Sequence, residues 1–316
     1  MRITRLAPSP TGALHLGNAR TFLVNWLLAR KLGWRIVMRI EDIDSPRTKR
    51  GADLAALEDL RWLGIDFDGP ITYQTHRLDV YREAARRLVE SGDAYPCICT
   101  RKEVEQAASA PHAEDGAAVY PGTCRSRFAS VDEARQLGRE PALRFRVPDL
   151  DVEIDDAFAG RQVFAVARQL GDFVIAKADG TSAYQLAVVV DDAEAAVTDV
   201  VRGDDLLDSA PRQMLIYQAL RIQERIPRYW HLPLVVGADG RRLAKRHGDT
   251  RLGFYREQGV SASRVLQLLA RWSGMDDAPV NSAGDLLDRF DISRIPRQRI
   301  VFTPQDDQWL RGNRVG

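Results

Sequence analysis

The strongest constraint on the fold lies in the first forty or so residues. Residues 2–6 alternate as a strand does, and the loop Ala7-Pro8-Ser9-Pro10-Thr11-Gly12 follows. From Leu16 to Lys31, the residues Leu16, Ala19, Phe22, Leu23, Trp26, Leu27 and Arg30 recur at three-and-four spacing, which predicts a helix. Gly33 stops it, and Arg35 to Ile40 reads as a second strand. Strand, loop, helix and strand in this order form a βαβ unit, so the two strands run parallel. The expected fold is therefore α/β, a doubly wound parallel sheet of Rossmann type.

Two helical patterns follow, near 51–63 and 76–91. The stretch 93–165 changes character, with all the cysteines, an Ala-rich polar run from Ala107 to Ala118, and short strand-like runs such as Leu143 to Val147. It reads as an insertion. The sheet pattern is expected to return with Phe173-Val174-Ile175 and Tyr184 to Val190. A helix near 210–221, a strand from His231 to Val236 and a helical tail from about 260 complete the chain. The expected division is a split sheet domain of 1–92 and 166–255, an inserted subdomain of 93–165, and a helical C-terminal region of 256–316.

Hydrophobic residues at 45% and charged residues at 28% are ordinary for a soluble globular chain of 316 residues. A net charge of only +1 gives no general attraction to phosphate, so a nucleic acid would have to meet a local basic patch. The start lacks the apolar core of a signal peptide, and runs such as Leu186 to Val190 are too short to cross a bilayer. A cytoplasmic protein is expected. The three cysteines, Cys97, Cys99 and Cys124, are odd in number and clustered, which argues against a disulfide framework and leaves reduced thiols or a metal site.

Two loops carry candidate chemistry. In Pro8-Ser9-Pro10-Thr11-Gly12-Ala13-Leu14-His15-Leu16-Gly17-Asn18, the prolines stiffen the turn, and Gly12 and Gly17 permit close backbone approach. The following helix N-terminus favours an anion, and His15 can donate to a phosphate there. The second loop, Gly240-Arg241-Arg242-Leu243-Ala244-Lys245-Arg246-His247-Gly248, can neutralise charge on transferring phosphates. Taken singly, the first is equally a tight turn and the second is more often a solvated basic turn.

In this order the two loops resemble the HIGH and KMSKS signatures of class I aminoacyl-tRNA synthetases, here His-Leu-Gly-Asn and Arg-Leu-Ala-Lys-Arg. Four further segments resemble the glutamyl branch: residues 5–12, Arg39-Ile40-Glu41-Asp42-Ile43-Asp44, residues 179–187, and Val201-Arg202-Gly203-Asp204-Asp205-Leu206. The resemblance implies activation of L-glutamate by ATP with magnesium. It assigns glutamate contacts to Arg5, Ser9, Glu41, Tyr184 and Arg202, and ATP contacts to Pro8, Gly12, His15, Gly17, Asn18, Arg242 and Lys245. His15 and Lys245 would be catalytic. Arginines suit the side-chain carboxylate and an acid suits the substrate ammonium. Ala244 departs from the family's usual serine, which implies slower adenylation at most.

Three thiolates suit zinc, which needs a fourth ligand. Cys97-x-Cys99 followed by Tyr120-x-x-x-Cys124 resembles the metal site of the short glutamyl-synthetase paralogues, where a tyrosine completes the set; His112 is the alternative. About seventy residues follow Lys245, so no anticodon-binding domain is expected. Together these features resemble the glutamyl-Q tRNA(Asp) synthetases, implying transfer of glutamate to queuosine of tRNA(Asp). Two alternatives stay open: a truncated glutamyl-tRNA synthetase charging the 3′ end of tRNA(Glu), and a non-catalytic RNA-binding paralogue. Candidate phosphate contacts are Arg101, Lys102, Arg125, Arg127, Arg294, Arg297, Arg299, Arg311 and Arg314.

Overall fold

The computed structural model describes residues 1–10, 12–43, 48–107, 119–243 and 248–312. Its first half contains β1 (Ile3–Leu6), α1 (Leu16–Lys31), β2 (Arg35–Ile40), α2 (Ala52–Trp62), β3 (Ile71–Tyr73) and α3 (Leu78–Glu90). Strands β1, β2 and β3 are parallel neighbours, with Ile3 opposite Arg35 and Met38 opposite Ile71. Gly33 ends α1 with φ +67, and the N–H groups of Gly33 and Trp34 reach back to the carbonyls of Arg30 and Ala29. This is the Schellman closure that the glycine promises.

The central stretch forms β4 (Ala94–Cys97), α4 (Arg101–Ala107), α5 (Val131–Arg135), β5 (Ala142–Phe145), β6 (Val152–Asp156), β7 (Gly160–Phe164), α6 (Val166–Gln169) and β8 (Val174–Ala176). β4, β5 and β8 make an antiparallel sheet, and β6 and β7 a hairpin. Residues 174–176 therefore join the antiparallel sheet, not the parallel one.

Next come α7 (Tyr184–Glu194), β9 (Asp199–Gly203), α8 (Ser209–Ala219), β10 (Arg228–Leu232) and β11 (Val235–Val236). The run Tyr184 to Val190, expected as a strand, is the first part of α7. Every residue from Gln185 to Ala193 in that helix is buried, so its apolar residues show no one-sided stripe, and its valines imitate a buried strand. The expected strand 231–236 is broken at Pro233, which has no N–H for a ladder. β9 and β10 pair in parallel, and β9 lies along β1, where the Thr198 N–H donates to the Ile3 carbonyl at 2.8 Å. The strand order thus reverses between β1 and β9. Clefts form at the carboxyl ends of strands at such a reversal.

The remainder is α9 (Leu252–Glu257), α10 (Ala262–Trp272), β12 (Ile300–Val301) and α11 (Pro304–Leu310), with β12 pairing to β11. Helix α1 is central: Leu16, Leu23 and Leu27 are fully buried, each contributing about 1.5–3 kcal/mol of apolar burial. Arg20 on the same helix is also fully buried, donating to the carbonyls of Pro233 (2.7 Å) and Trp272 (3.2 Å). It ties the C-terminal helices to the sheet. Among the described residues, no helix is long and apolar enough to cross a membrane.

Candidate active site

A cavity of about 530 Å³ opens at the carboxyl ends of β1 and β9, beside the N-terminus of α1. Pro8, Ser9, Gly12, His15, Gly17 and Asn18 form one wall. Arg5, Glu41, Tyr184, Arg202 and Arg242 line the same space. The candidate residues, up to 237 positions apart (5 to 242), thus meet in one place. Lys245, Ala244, Thr11, Asp44, His112 and Arg314 lie outside the described residues.

His15 caps α1. Its Nδ1 accepts from the N–H groups of Gly17 (3.1 Å) and Asn18 (3.3 Å). Burial, and secondarily the charge of Arg242, pulls its pKa down to about 4, so the ring is neutral at pH 7. With Nδ1 accepting, the single proton sits on Nε2, which makes Nε2–H a donor with no hydrogen-bond partner among the described residues. A Cβ on Gly17 would come within 3.1 Å of the His15 ring, so this glycine gives the ring its place. A Cβ on Gly12 would meet nothing within 4 Å, so the protein itself does not demand a glycine there.

At the other end, Arg5 and Arg202 are 5% and 4% exposed. Arg5 donates to the Val201 carbonyl at 3.3 Å and lies 3.6 Å from Asp192. Arg202 donates through Nε to His231 at 2.9 Å and through Nη1 to Gln213 at 3.0 Å. Arg202 Nη2 and Arg5 Nε are buried with no hydrogen-bond partner among the described residues. Glu41 accepts from Arg39 at 3.1 Å and from Ser9 at 3.3 Å. Burial, then the charge of Glu41, raises the Tyr184 pKa, keeping its phenol protonated.

Sequence reasoning missed the residues behind this wall. Arg39 bridges Glu41 to Asp192 (2.5 Å), and burial works against its charge while Asp192, Glu41 and Asp191 hold it. Asp191 receives Gln74, Arg77 and Tyr81 at 2.7–2.9 Å. Two adjacent aspartates in an apolar run were the available signal, because buried acids demand cationic or hydroxyl partners.

Cys97, Cys99 and Cys124 have sulfurs within 4.8 Å of one another. Cys99 and Cys124 are 3.6 Å apart, and Tyr120 Oη lies 3.4 Å from Cys97 and 3.6 Å from Cys99. Zinc with Zn–S near 2.3 Å and Zn–O near 2.0 Å has tetrahedral edges of about 3.5–3.8 Å. The donor set fits the ion. Arg144 stacks 3.8 Å from the Tyr120 ring centre and donates to Cys97 at 3.3 Å, placing positive charge beside the sulfurs.

Several candidate RNA contacts are already engaged. Arg125 pairs with Asp172 and donates to the Val147 carbonyl; Arg297 donates to the Phe158 carbonyl and covers its ring. Arg101, Arg299 and Arg311 pair with Glu105, Asp204 and Asp307. Lys102, Arg127 and Arg294 are exposed and form no ion pair with the described residues.

The family described as tRNA synthetases class I (E and Q), catalytic domain, matches residues 2–298. A glutamyl-Q tRNA(Asp) synthetase of Symbiobacterium thermophilum is 47% identical, over 98% of this chain and 98% of its own length. Glutamate–tRNA ligase 2 of Halorhodospira halophila is 41% identical over 99% of this chain but 66% of its own. A glutamate tRNA ligase of Elizabethkingia meningosepticum, solved in complex with its amino acid, superposes with a TM-score of 0.82 at 28% identity, over 98% of this chain and 68% of that one.

Proposed function

The chain belongs to the class I tRNA synthetases of the glutamate and glutamine type, and from that premise we propose that it activates L-glutamate with ATP without tRNA, then passes the glutamyl group to queuosine of tRNA(Asp). The observation that carries glutamate is the buried Arg202 Nη2, without a hydrogen-bond partner among the described residues, in a cavity that Glu41 also lines. A buried cationic donor calls for an anion, and a planar guanidinium suits a carboxylate. Arg5 and Arg202 receive the side-chain carboxylate, and Glu41, steadied by Ser9 and Arg39, receives the ammonium. Tyr184 donates its phenolic hydrogen to the bound amino acid.

An α-carboxylate oxygen attacks the α-phosphorus, the bond to pyrophosphate breaks, and the adenylate remains. Pro8, Gly12, Gly17 and Asn18 shape the phosphate wall, with Arg242 beside it. His15 Nε2–H and the positive end of the α1 dipole stabilise the charge that builds there. Lys245 is assigned the same task from the second loop. Magnesium arriving with ATP supplies charge neutralisation of the leaving group. The queuosine acceptor draws its support from the closer, end-to-end similarity to the glutamyl-Q protein than to the glutamate–tRNA ligase. Zinc on Cys97, Cys99, Cys124 and Tyr120, and the division into a split catalytic domain with an inserted subdomain, belong to the same reading.

The test has two parts. Glutamate-dependent pyrophosphate exchange without RNA is expected; its absence would sink tRNA-independent activation. Labelled glutamate is then offered to tRNA(Asp) with queuosine, tRNA(Asp) without it, and tRNA(Glu). Label on the first alone supports the acceptor, whereas label on tRNA(Glu) that is lost on trimming its 3′ end favours a glutamyl-tRNA synthetase.

A further inference from the structure

His231 on β10 and Asp156 at the end of β6 have fully buried side chains, with Nδ1 and Oδ2 2.6 Å apart. Nε2 of the same ring accepts from Arg202 Nε at 2.9 Å. Arginine keeps its protons and cannot accept, so Nε2 must be bare and the ring proton must sit on Nδ1, donated to Asp156. The other oxygen of Asp156 is held as firmly: Oδ1 accepts the N–H groups of Phe158 (2.9 Å), Ala159 (2.7 Å) and His231 (3.2 Å). The carboxylate is thus fixed by the β6–β7 turn and fixes the imidazole tautomer in turn. Tyr229 stacks on the ring at 5.9 Å with 20° between planes, the Leu206 carbonyl also faces it, and among the described residues Asp156 and Arg202 are the charged groups acting on it.

We propose that Asp156 and His231 are positioning residues for Arg202, setting its guanidinium plane so that Nη2 is presented to the amino-acid end of the cavity. With Nε on His231 and Nη1 on Gln213, two edges of the guanidinium are fixed and Nη2 is the edge left for substrate. Selection of a carboxylate side chain then depends on a proton placed by the inserted hairpin, 46 positions before Arg202 in sequence (202 less 156). This rests on the reading of Arg202 as a glutamate contact.

Asp156→Asn isolates the effect. Three backbone N–H groups demand an oxygen at the Oδ1 position, so the new amide NH₂ must occupy the Oδ2 position and face His231 Nδ1. The ring then accepts there and carries its proton on Nε2, pointed at an arginine N–H. Steady-state pyrophosphate exchange on the full chain should show KM for glutamate raised by about tenfold or more with KM for ATP unchanged, the scale of one misdirected charged hydrogen bond. Discrimination between glutamate and glutamine should fall with it. His231→Gln, whose carbonyl can still accept from Arg202, should recover glutamate KM to within a few-fold of the parent. Equal loss for both substrates, or a lowered melting temperature with no glutamate-specific change, would make the pair a packing feature and overturn the proposal. Arg202→Ala separates the two readings. If it leaves glutamate KM unchanged, the Arg202 assignment itself fails; if it raises KM while Asp156→Asn does not, only the positioning role fails.

Discussion

The two nitrogens of His15 have different tasks, and a substitution can separate them. Nδ1 caps α1, and Nε2–H is the donor proposed for phosphate. Asparagine is a good N-cap but is too short to replace Nε2. His15→Asn should therefore keep the melting temperature close to the parent while exchange turnover falls by about 10²–10³-fold. His15→Ala should lose a similar factor and about 1 kcal/mol of stability with the cap. Full turnover in the asparagine variant would leave His15 as a cap alone. A pH effect follows from the same ring. Its folded pKa, near 4, lies below the unfolded value near 6.5, so the unfolded chain binds the proton first. The parent should lose stability as pH falls from about 6.5 toward 4, and His15→Asn should lose less, as urea titrations at pH 7 and pH 5 would show. The first signature loop stood out as a group because its residues are neighbours in sequence, and they line one cavity, whereas Ala244 and Lys245 of the second lie outside the described residues. Asp156, Gln213 and His231 were not legible in the sequence, because each acts on Arg202 across the fold, and a lone histidine within an apolar strand gives no sign of its partner.

At the scale of elements, α7 is the instructive error. Its apolar run has strand length and β-branched residues, and burial on all sides removes the one-sided stripe by which a helix is recognised. Once helical, its last two turns deliver Asp191 and Asp192 to Arg39, with Arg5 beside Asp192 and Arg77 on Asp191. Asp192→Asn removes the charge facing both Arg5 and Arg39 at a buried site. It should destabilise the fold by about 3–5 kcal/mol in urea unfolding and raise KM for glutamate, since the pocket arginine loses its anchor. A change under about 1 kcal/mol would show that Asp191 and Glu41 compensate. The cysteine element makes a separate prediction. Burial first of all pushes the Cys99 thiol up to about 11 in the metal-free protein, so zinc uptake must displace its proton. Zinc affinity, read by competition with a chromophoric chelator, should fall from pH 8 to pH 6.5. Cys99→Ser should lower it further, while exchange activity stays near the parent's because no thiol lines the active cavity. Loss of exchange in step with zinc would mean that the metal does more than hold its own sheet.

Across the whole molecule, charge is nearly balanced, with 45 basic and 44 acidic residues, so long-range attraction to RNA is weak and binding must come from local contacts. The arginines singled out from the sequence for that task are mostly committed elsewhere, to acids, carbonyls or rings. Sequence could locate them but not show this, because each partner is set by folding. Lys102, Arg127 and Arg294 are the exposed cations of that group without an ion pair among the described residues. The two half-reactions should therefore respond differently to salt. Pyrophosphate exchange is assigned to a cavity whose amino-acid end, with Arg5 and Arg202, is buried and screened little, so KM for glutamate should change less than about twofold between 50 and 200 mM salt. Transfer to RNA needs phosphate contacts, each contributing about −0.7 to −0.9 to the slope of log affinity against log salt. With a few free cations the slope should be about −2 to −3, measured by RNA binding to the adenylate-loaded protein. Lys102→Ala or Arg294→Ala should each make it shallower by about one contact. A slope of about −6 or steeper, unchanged in both variants, would place the RNA on a different surface and withdraw these residues from the interface.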